Sequence, residues 1–134
     1  MTGVEQGTTG SAALPRLETA AVIAVGSELL TPFRTDTNSL AITARLDEIG
    51  IRLLHKAVVG DSVREIASAV REAMSRAGLV ILCGGLGPTS DDLTREGIAA
   101  ALDLELIEDS GLLDVIAAGS ARRAMAVAAN NGRE

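Results

Sequence analysis

The stretch Leu79-Val80-Ile81-Leu82-Cys83-Gly84-Gly85-Leu86-Gly87-Pro88-Thr89-Ser90-Asp91-Asp92-Leu93-Thr94-Arg95 decides the fold. Five apolar residues bounded by glycine read as a short buried strand. From Leu93 to Leu102 the spacing turns helical. Between them lies a loop whose glycines permit tight backbone geometry and close approach of a ligand to the main chain. A helix start carries unpaired N–H groups and the positive end of the dipole, which together favour an anion. Asp91 and Asp92 stand where a metal or a polar ligand could meet that anion.

Upstream, the same unit recurs twice. Ala20 to Val25 reads as a strand ending at Gly26-Ser27-Glu28-Leu29-Leu30, with a polar loop from Thr31 to Asn38. Leu40, Ile42, Leu46 and Ile49 fit one helix face, and Gly50 stops that helix. Ile51 to Val59 reads as a second strand, closed by Gly60-Asp61. Ser62 and Glu65 have capping-box spacing. They open a helix with apolar positions at Ile66, Ala69, Val70, Ala73 and Met74. Strand and helix alternate three times, so the chain is predicted to be α/β, with a parallel sheet and right-handed crossovers. Beyond Leu102, Leu104 to Ile107 is a candidate short strand, and Gly111 to Ala129 is predicted to be helical with a break near Gly119-Ser120. Residues 1–18, rich in Gly, Thr, Ser and Ala, are expected to be a disordered leader, and residues 19–134 one domain.

Composition limits the partners. Of 134 residues, 47% are hydrophobic, with one Phe and no Tyr or Trp. The core must be aliphatic, and base stacking on aromatics, the usual means of holding single-stranded nucleic acid, has no basis. With 18 acidic against 12 basic residues the net charge is −6. No basic run offers a footprint for a phosphate backbone. One cysteine excludes a disulfide framework and a cysteine metal site. No signal-peptide pattern or membrane-length apolar run is present, so the expectation is a cytoplasmic protein with no membrane partner.

In an open parallel sheet, ligands bind beyond the carboxyl ends of the strands. The first strand brings Ser27 and Glu28 there, the second Asp61, and the third the Gly84–Asp92 loop. Each residue also has a plainer reading. Glu28 caps a turn or serves a site, Asp61 caps the next helix or serves a site, and Asp91 and Asp92 favour a helix dipole or serve a site. Cys83 reads as a small buried residue and His55 as structural. Arg34, Lys56 and Arg95 are either phosphate contacts or solvated charges. The glycines fit neither the dinucleotide fingerprint, since Ser90 stands where its third glycine belongs, nor the P-loop.

Taken together, Ala24-Val25-Gly26-Ser27-Glu28-Leu29-Leu30, Asn38, Val59-Gly60-Asp61, Gly84-Gly85-Leu86-Gly87-Pro88-Thr89 and Asp91-Asp92-Leu93-Thr94 resemble the CinA family. The likeness is to its N-terminal domain, of the MoaB/Mog molybdopterin-binding type, over about residues 19 to 131. The resemblance implies a three-layer α/β/α fold with a mostly parallel sheet and a nucleotide-handling site at the sheet edge. It further implies metal-dependent hydrolysis of ADP-ribose to AMP and ribose 5-phosphate, while a second domain of such proteins deamidates nicotinamide mononucleotide. Mog-type relatives instead adenylylate molybdopterin, with important acids matching Asp61 and Asp92.

On that basis Asp61 and Asp92 are the expected catalytic residues. Ser27, Asn38, Gly84, Gly85, Gly87 and Thr89 are expected to bind the ligand. Glu28, Asp61, Asp91 and Asp92 are expected to hold a divalent cation, Mg or Co, through oxygen ligands. The expected partners are a nucleotide or pterin small molecule and further copies of the chain. Family domains continue through an Asn-Pro-x-Gly-Thr-Ala-Pro-Gly-like loop that returns to the site. The sequence stops before it, so an incomplete site in a non-catalytic remnant is a third reading.

Overall fold

The computed structural model describes residues 17–131; the expected leader over residues 1–16 lies outside them. The chain divides into two compact units, Met1–Leu104 and Glu105–Glu134. In the first, strand β1 (Thr19–Val25) is followed by a 3₁₀ turn over Ser27–Leu30 and helix α1 (Thr37–Glu48). Strand β2 (Arg52–Val59), helix α2 (Val63–Arg76), strand β3 (Leu79–Cys83) and helix α3 (Thr94–Leu102) complete it. The sheet is wholly parallel with order β2-β1-β3. Thus β1 is central, and Ala20 to Val25 are buried on both faces, as the unbroken apolar run requires.

Two cores sandwich the sheet. On one face Ala20 and Val22 pack with Leu46 of α1, joined by Ile42, Leu53, Leu79 and Ile81. On the other, Ala21, Ile23 and Val25 pack with Ile66, Ala69, Val70 and Ala73 of α2, joined by Leu93, Ile98 and Ala101 from the α3 region. Helices therefore cover both faces, giving the three layers expected.

The β1–β2 register slips by one residue. Ala20 pairs with Leu53 while Ala21 pairs with His55, so Leu54 is a bulge. As a result Leu53 points to the α1 core, whereas Val59, aligned with Val25, points to the α2 core. His55 shares the α2 side through its alignment with Ala21, and Lys56 shares the α1 side through Val22.

Several expectations need correcting. Leu40 and Ile49 do not belong to the buried face of α1, being 56% and 58% exposed. That face runs through Ser39, Ile42 and Leu46, because Asp36 caps the helix and a buried Ser39 replaces an apolar residue in its first turn. Met74 of α2 is likewise about half exposed. No strand forms at Leu104 to Ile107: Asp103 adopts a left-handed conformation, and Leu104 N–H donates to Ala99 O, which closes α3 without starting a ladder.

In the second unit, helix α4 (Ser110–Asn131) runs without the expected break at Gly119-Ser120. A lone glycine weakens a helix by about 1 kcal/mol relative to alanine but does not end it. Asp109 Oδ1 accepts the Leu112 N–H and starts this helix. No helix among the described residues is long and apolar enough to cross a membrane.

Candidate functional site

A pocket of about 220 Å³ opens beyond the carboxyl ends of β1 and β3. Its walls come from three chain segments. Val25, Glu28 and Leu29 descend from β1, residues 34–38 lead into α1, and Cys83 and Gly84 end β3. Of the residues expected from sequence, it gathers Glu28, Asn38 and Gly84.

The glycine pair at the end of β3 has a strict geometric cause. Gly84 and Gly85 have φ of 90° and 61°. A Cβ on Gly84 would lie 2.1 Å from Val25 O, and one on Gly85 would lie 2.3 Å from Thr94 Oγ1. Thr94, only 1% exposed, donates its hydroxyl to Gly84 O at 2.7 Å and its N–H to Gly85 O at 3.2 Å. The start of α3 is thus latched onto the turn that forms the pocket wall. Thr94 was visible within the motif, but its role was not, because no spacing rule links it to a carbonyl ten residues earlier.

Asp92 organises the rest of the loop. Its Oδ2 accepts the Thr89 N–H at 3.0 Å and the Thr89 hydroxyl at 2.6 Å. The hydroxyl and amide of Thr89, then the Gly87 amide, hold its carboxyl below the usual carboxylate range, with Arg95 adding to the effect. Arg95 itself reaches Gly87 O at 3.3 Å. A Cβ on Gly87 would meet the Asp92 carboxylate at 2.7 Å, so a side chain there would push that carboxylate aside. Asp91 is exposed beside it.

Ser27 and Asp61 face each other at the β1–β2 end. Ser27 N–H donates to Asp61 Oδ2 at 2.9 Å, and Asp61 N–H donates to Ser27 Oγ at 3.0 Å. This exchange ties the first two strand-end loops together. Ser62, not Asp61, caps α2, its hydroxyl accepting the Glu65 N–H. Glu28 folds its carboxylate back over Gly26, where a Cβ would lie within 2.8 Å of it. Among the described residues no three His, Cys, Asp or Glu side chains converge as a metal-holding group. Glu28, Asp61, Asp91 and Asp92 are therefore not assembled as one ligand set.

Asp36, which sequence reading left inside a polar loop, is the pocket's structural acid. Its Oδ1 accepts the Ser39 N–H at 2.9 Å, its Oδ2 accepts the Ser39 hydroxyl, and Lys56 Nζ stands 3.8 Å away. Burial pushes this carboxyl up. The Ser39 hydroxyl and amide and the Lys56 ammonium outweigh burial, and the net direction is downward. A depressed carboxyl contributes stability above its unfolded value near 3.8, and that stability is lost as pH falls through the lower folded value. Asp36→Asn keeps an N-capping oxygen but not the charge. Thermal melts between pH 5 and 2.5 should therefore show the wild-type Tm falling more than that of the Asn variant. Parallel curves would show that the Asp36 charge is not linked to folding.

Cys83 lines the same pocket. Burial and then the Asp36 carboxylate raise its thiol above the ordinary value, against a smaller lowering by Lys56. A protonated thiol is a poor nucleophile, but the residue is only half-buried, not buried as expected, because it lines the pocket.

A glycine-rich loop, a latched helix start and a pocket at the carboxyl edge of a parallel sheet define an α/β domain with its cavity where such sheets bind ligands. The chain belongs to the family described as the probable molybdopterin binding domain, whose model matches residues 21–133. More particularly, it is similar to CinA-like proteins. It is 45% identical over 115 residues to the CinA-like protein of Acidobacterium capsulatum, covering 86% of this chain and 28% of that one. The crystal structure of CinA from Thermoplasma acidophilum, described as of unknown function, superimposes with a TM-score of 0.69. That alignment has 38% identity and covers 71% of this chain and 56% of the other. The tungsten cofactor synthesizing protein MoaB from Pyrococcus furiosus gives a TM-score of 0.58 at 30% identity, covering 63% and 53%. The chain thus spans little more than a quarter of the length of the CinA-like protein it matches.

Proposed function

We propose that the chain is a CinA-type nucleotide-handling domain whose ligand is a nucleotide diphosphate sugar such as ADP-ribose. The observation that carries this reading is the pocket at the strand ends, one wall of which is Gly84, the first residue of the Gly84–Asp92 loop. The balance of likeness supports the CinA side over the cofactor-synthesis side, at 45% identity to a CinA-like protein against 30% to MoaB.

A pocket of about 220 Å³ is smaller than the roughly 300–1,000 Å³ of drug-sized sites. It accommodates one portion of such a ligand, with the remainder outside the cavity. Hydrolysis of the pyrophosphate would join a water oxygen to one phosphorus and break that phosphorus's bond to the bridging oxygen, giving AMP and ribose 5-phosphate. Asp61 is the candidate to take the water's proton. Its Oδ2 is held by Ser27 N–H, and Oδ1 has no hydrogen-bond partner among the described residues. Asp92 keeps the loop closed around the phosphates through Thr89. A divalent cation, Mg or Co, is part of the reading only as an ion that arrives with the phosphates. Self-association belongs to it as well, supported by the unpaired outer edges of β2 and β3 among the described residues.

The test is turnover of ADP-ribose, followed as released AMP, with and without Mg²⁺ or Co²⁺. AMP formation that falls by about 100-fold or more in Asp61→Asn is the expected result, in the range general-base removal produces. Release of pyrophosphate from ATP with molybdopterin, and none of AMP from ADP-ribose, would move the assignment to the Mog type.

A further inference from the structure

Three cations stand near the strand-end edge, and the structure separates them. Lys56 sits 3.8 Å from Asp36, and its charge is committed to the α1 cap. Arg95 donates to Gly87 O and braces the loop. Arg34 lines the pocket and makes no hydrogen bond or ion pair among the described residues. It is also the one cationic side chain among the residues that line this cavity.

We infer that Arg34 is the specificity-determining residue of the pocket, receiving the phosphate of the ligand against the backbone wall at Gly84. The inference rests on the proposed site but not on the proposed hydrolysis. Two carboxylates share the cavity, and one of them is neutralised within the fold. Asp36 is engaged by Ser39 and Lys56, and Glu28 lies back over Gly26. An anion entering the cavity therefore meets an unpaired guanidinium, whose planar fork matches phosphate oxygens two at a time. In a chain of net charge −6 that single unpaired cation matters. Without Arg34 the cavity would present two acids and no cation, which favours neutral or cationic ligands.

Inorganic pyrophosphate is the probe, because it carries the phosphate chemistry without committing to an adenosine or a pterin. Its Kd is measured by calorimetry for the wild-type chain and for Arg34→Gln, Arg34→Lys and Arg45→Gln. Arg45 pairs with Glu48 at the far end of α1, and its variant makes the same change in net charge. The expected result is weakening on the order of 10- to 100-fold in Arg34→Gln, as for loss of one charge-assisted contact. Arg34→Lys should fall between wild type and Gln, because it keeps the charge but not the fork. Arg45→Gln should change Kd less than about 3-fold, and all variants should melt with the wild type. Absence of pyrophosphate binding in the wild type, or equal Kd in Arg34→Gln, overturns the inference. So does an equal loss in Arg45→Gln, which would make the effect one of overall charge. Loss confined to Arg34→Gln, in a chain that never turns over ADP-ribose, upholds the inference and defeats the hydrolase reading.

Discussion

Replacing Gly84 by alanine is expected to cost about 4 kcal/mol or more, enough to unfold much of a marginally stable domain. Two effects add. At φ of 90° an L side chain is strained by about 1–3 kcal/mol. The new Cβ would also stand 2.1 Å from Val25 O, a backbone atom at the end of the central strand. Such an atom cannot give way without moving the strand that both cores pack against. Gly50 supplies the control: its φ is 75°, and a Cβ there would meet nothing within 4 Å. Gly50→Ala should therefore lose only the strain, about 1 kcal/mol. Urea unfolding of the two variants separates collision from conformation, and equal losses would refute the collision.

The second large effect is expected at Gly97 of α3, where a Cβ would fall 2.3 Å from Ile66 Cγ2 and 2.5 Å from its Cβ. Ile66 is fully buried and cannot swing aside. Alanine favours a helix over glycine by about 1 kcal/mol, so an exposed site would gain. Overpacking costs typically 1–3 kcal/mol and more when rigid atoms overlap. A net loss of about 2 kcal/mol is therefore expected, with α3 displaced from α2. Arg71 Nη2 also donates to Ala100 O at 2.6 Å across the same seam, so displacement strains that bond too. In an Ile66→Ala background the penalty for Gly97→Ala should shrink by at least about 1 kcal/mol. Strict additivity would place the cause elsewhere.

The strands and their order were readable because their apolar runs are short, bounded by Gly and Asp, and separated by helical spacing. That Ser27, Asp61 and the Gly84–Asp92 loop follow the carboxyl ends of the strands was readable too, although of the expected site residues only Glu28, Asn38 and Gly84 line the pocket. What escaped was what depends on contacts distant in sequence. Thr94 latching onto Gly84 and Lys56 standing beside Asp36 leave no periodic trace. The α1 face was misjudged because a buried, capped serine counts as polar in any apolar pattern. Asp92 was read as a ligand-facing carboxylate, and the structure shows it also serves as a loop staple through Thr89. Arg34 was one of three equivalent cations in the sequence, and only the pairing of the other two sets it apart.

The bulge at Leu54 has a wider consequence than a local kink. A strand is a two-beat signal, and one extra residue inverts its phase. Upstream of Leu54 the odd residue Leu53 serves the α1 core, and downstream the odd residue Val59 serves the α2 core. Lys56 reaches Asp36 only because it lies after that inversion. Were the beat unbroken from Arg52 onward, the lysine would fall opposite Ile23, on the α2 side of the sheet. Asp36 would lose its counter-charge, and the pocket would gain an unneutralised acid. One silent, half-exposed leucine thus sets the polarity of a cavity it does not line.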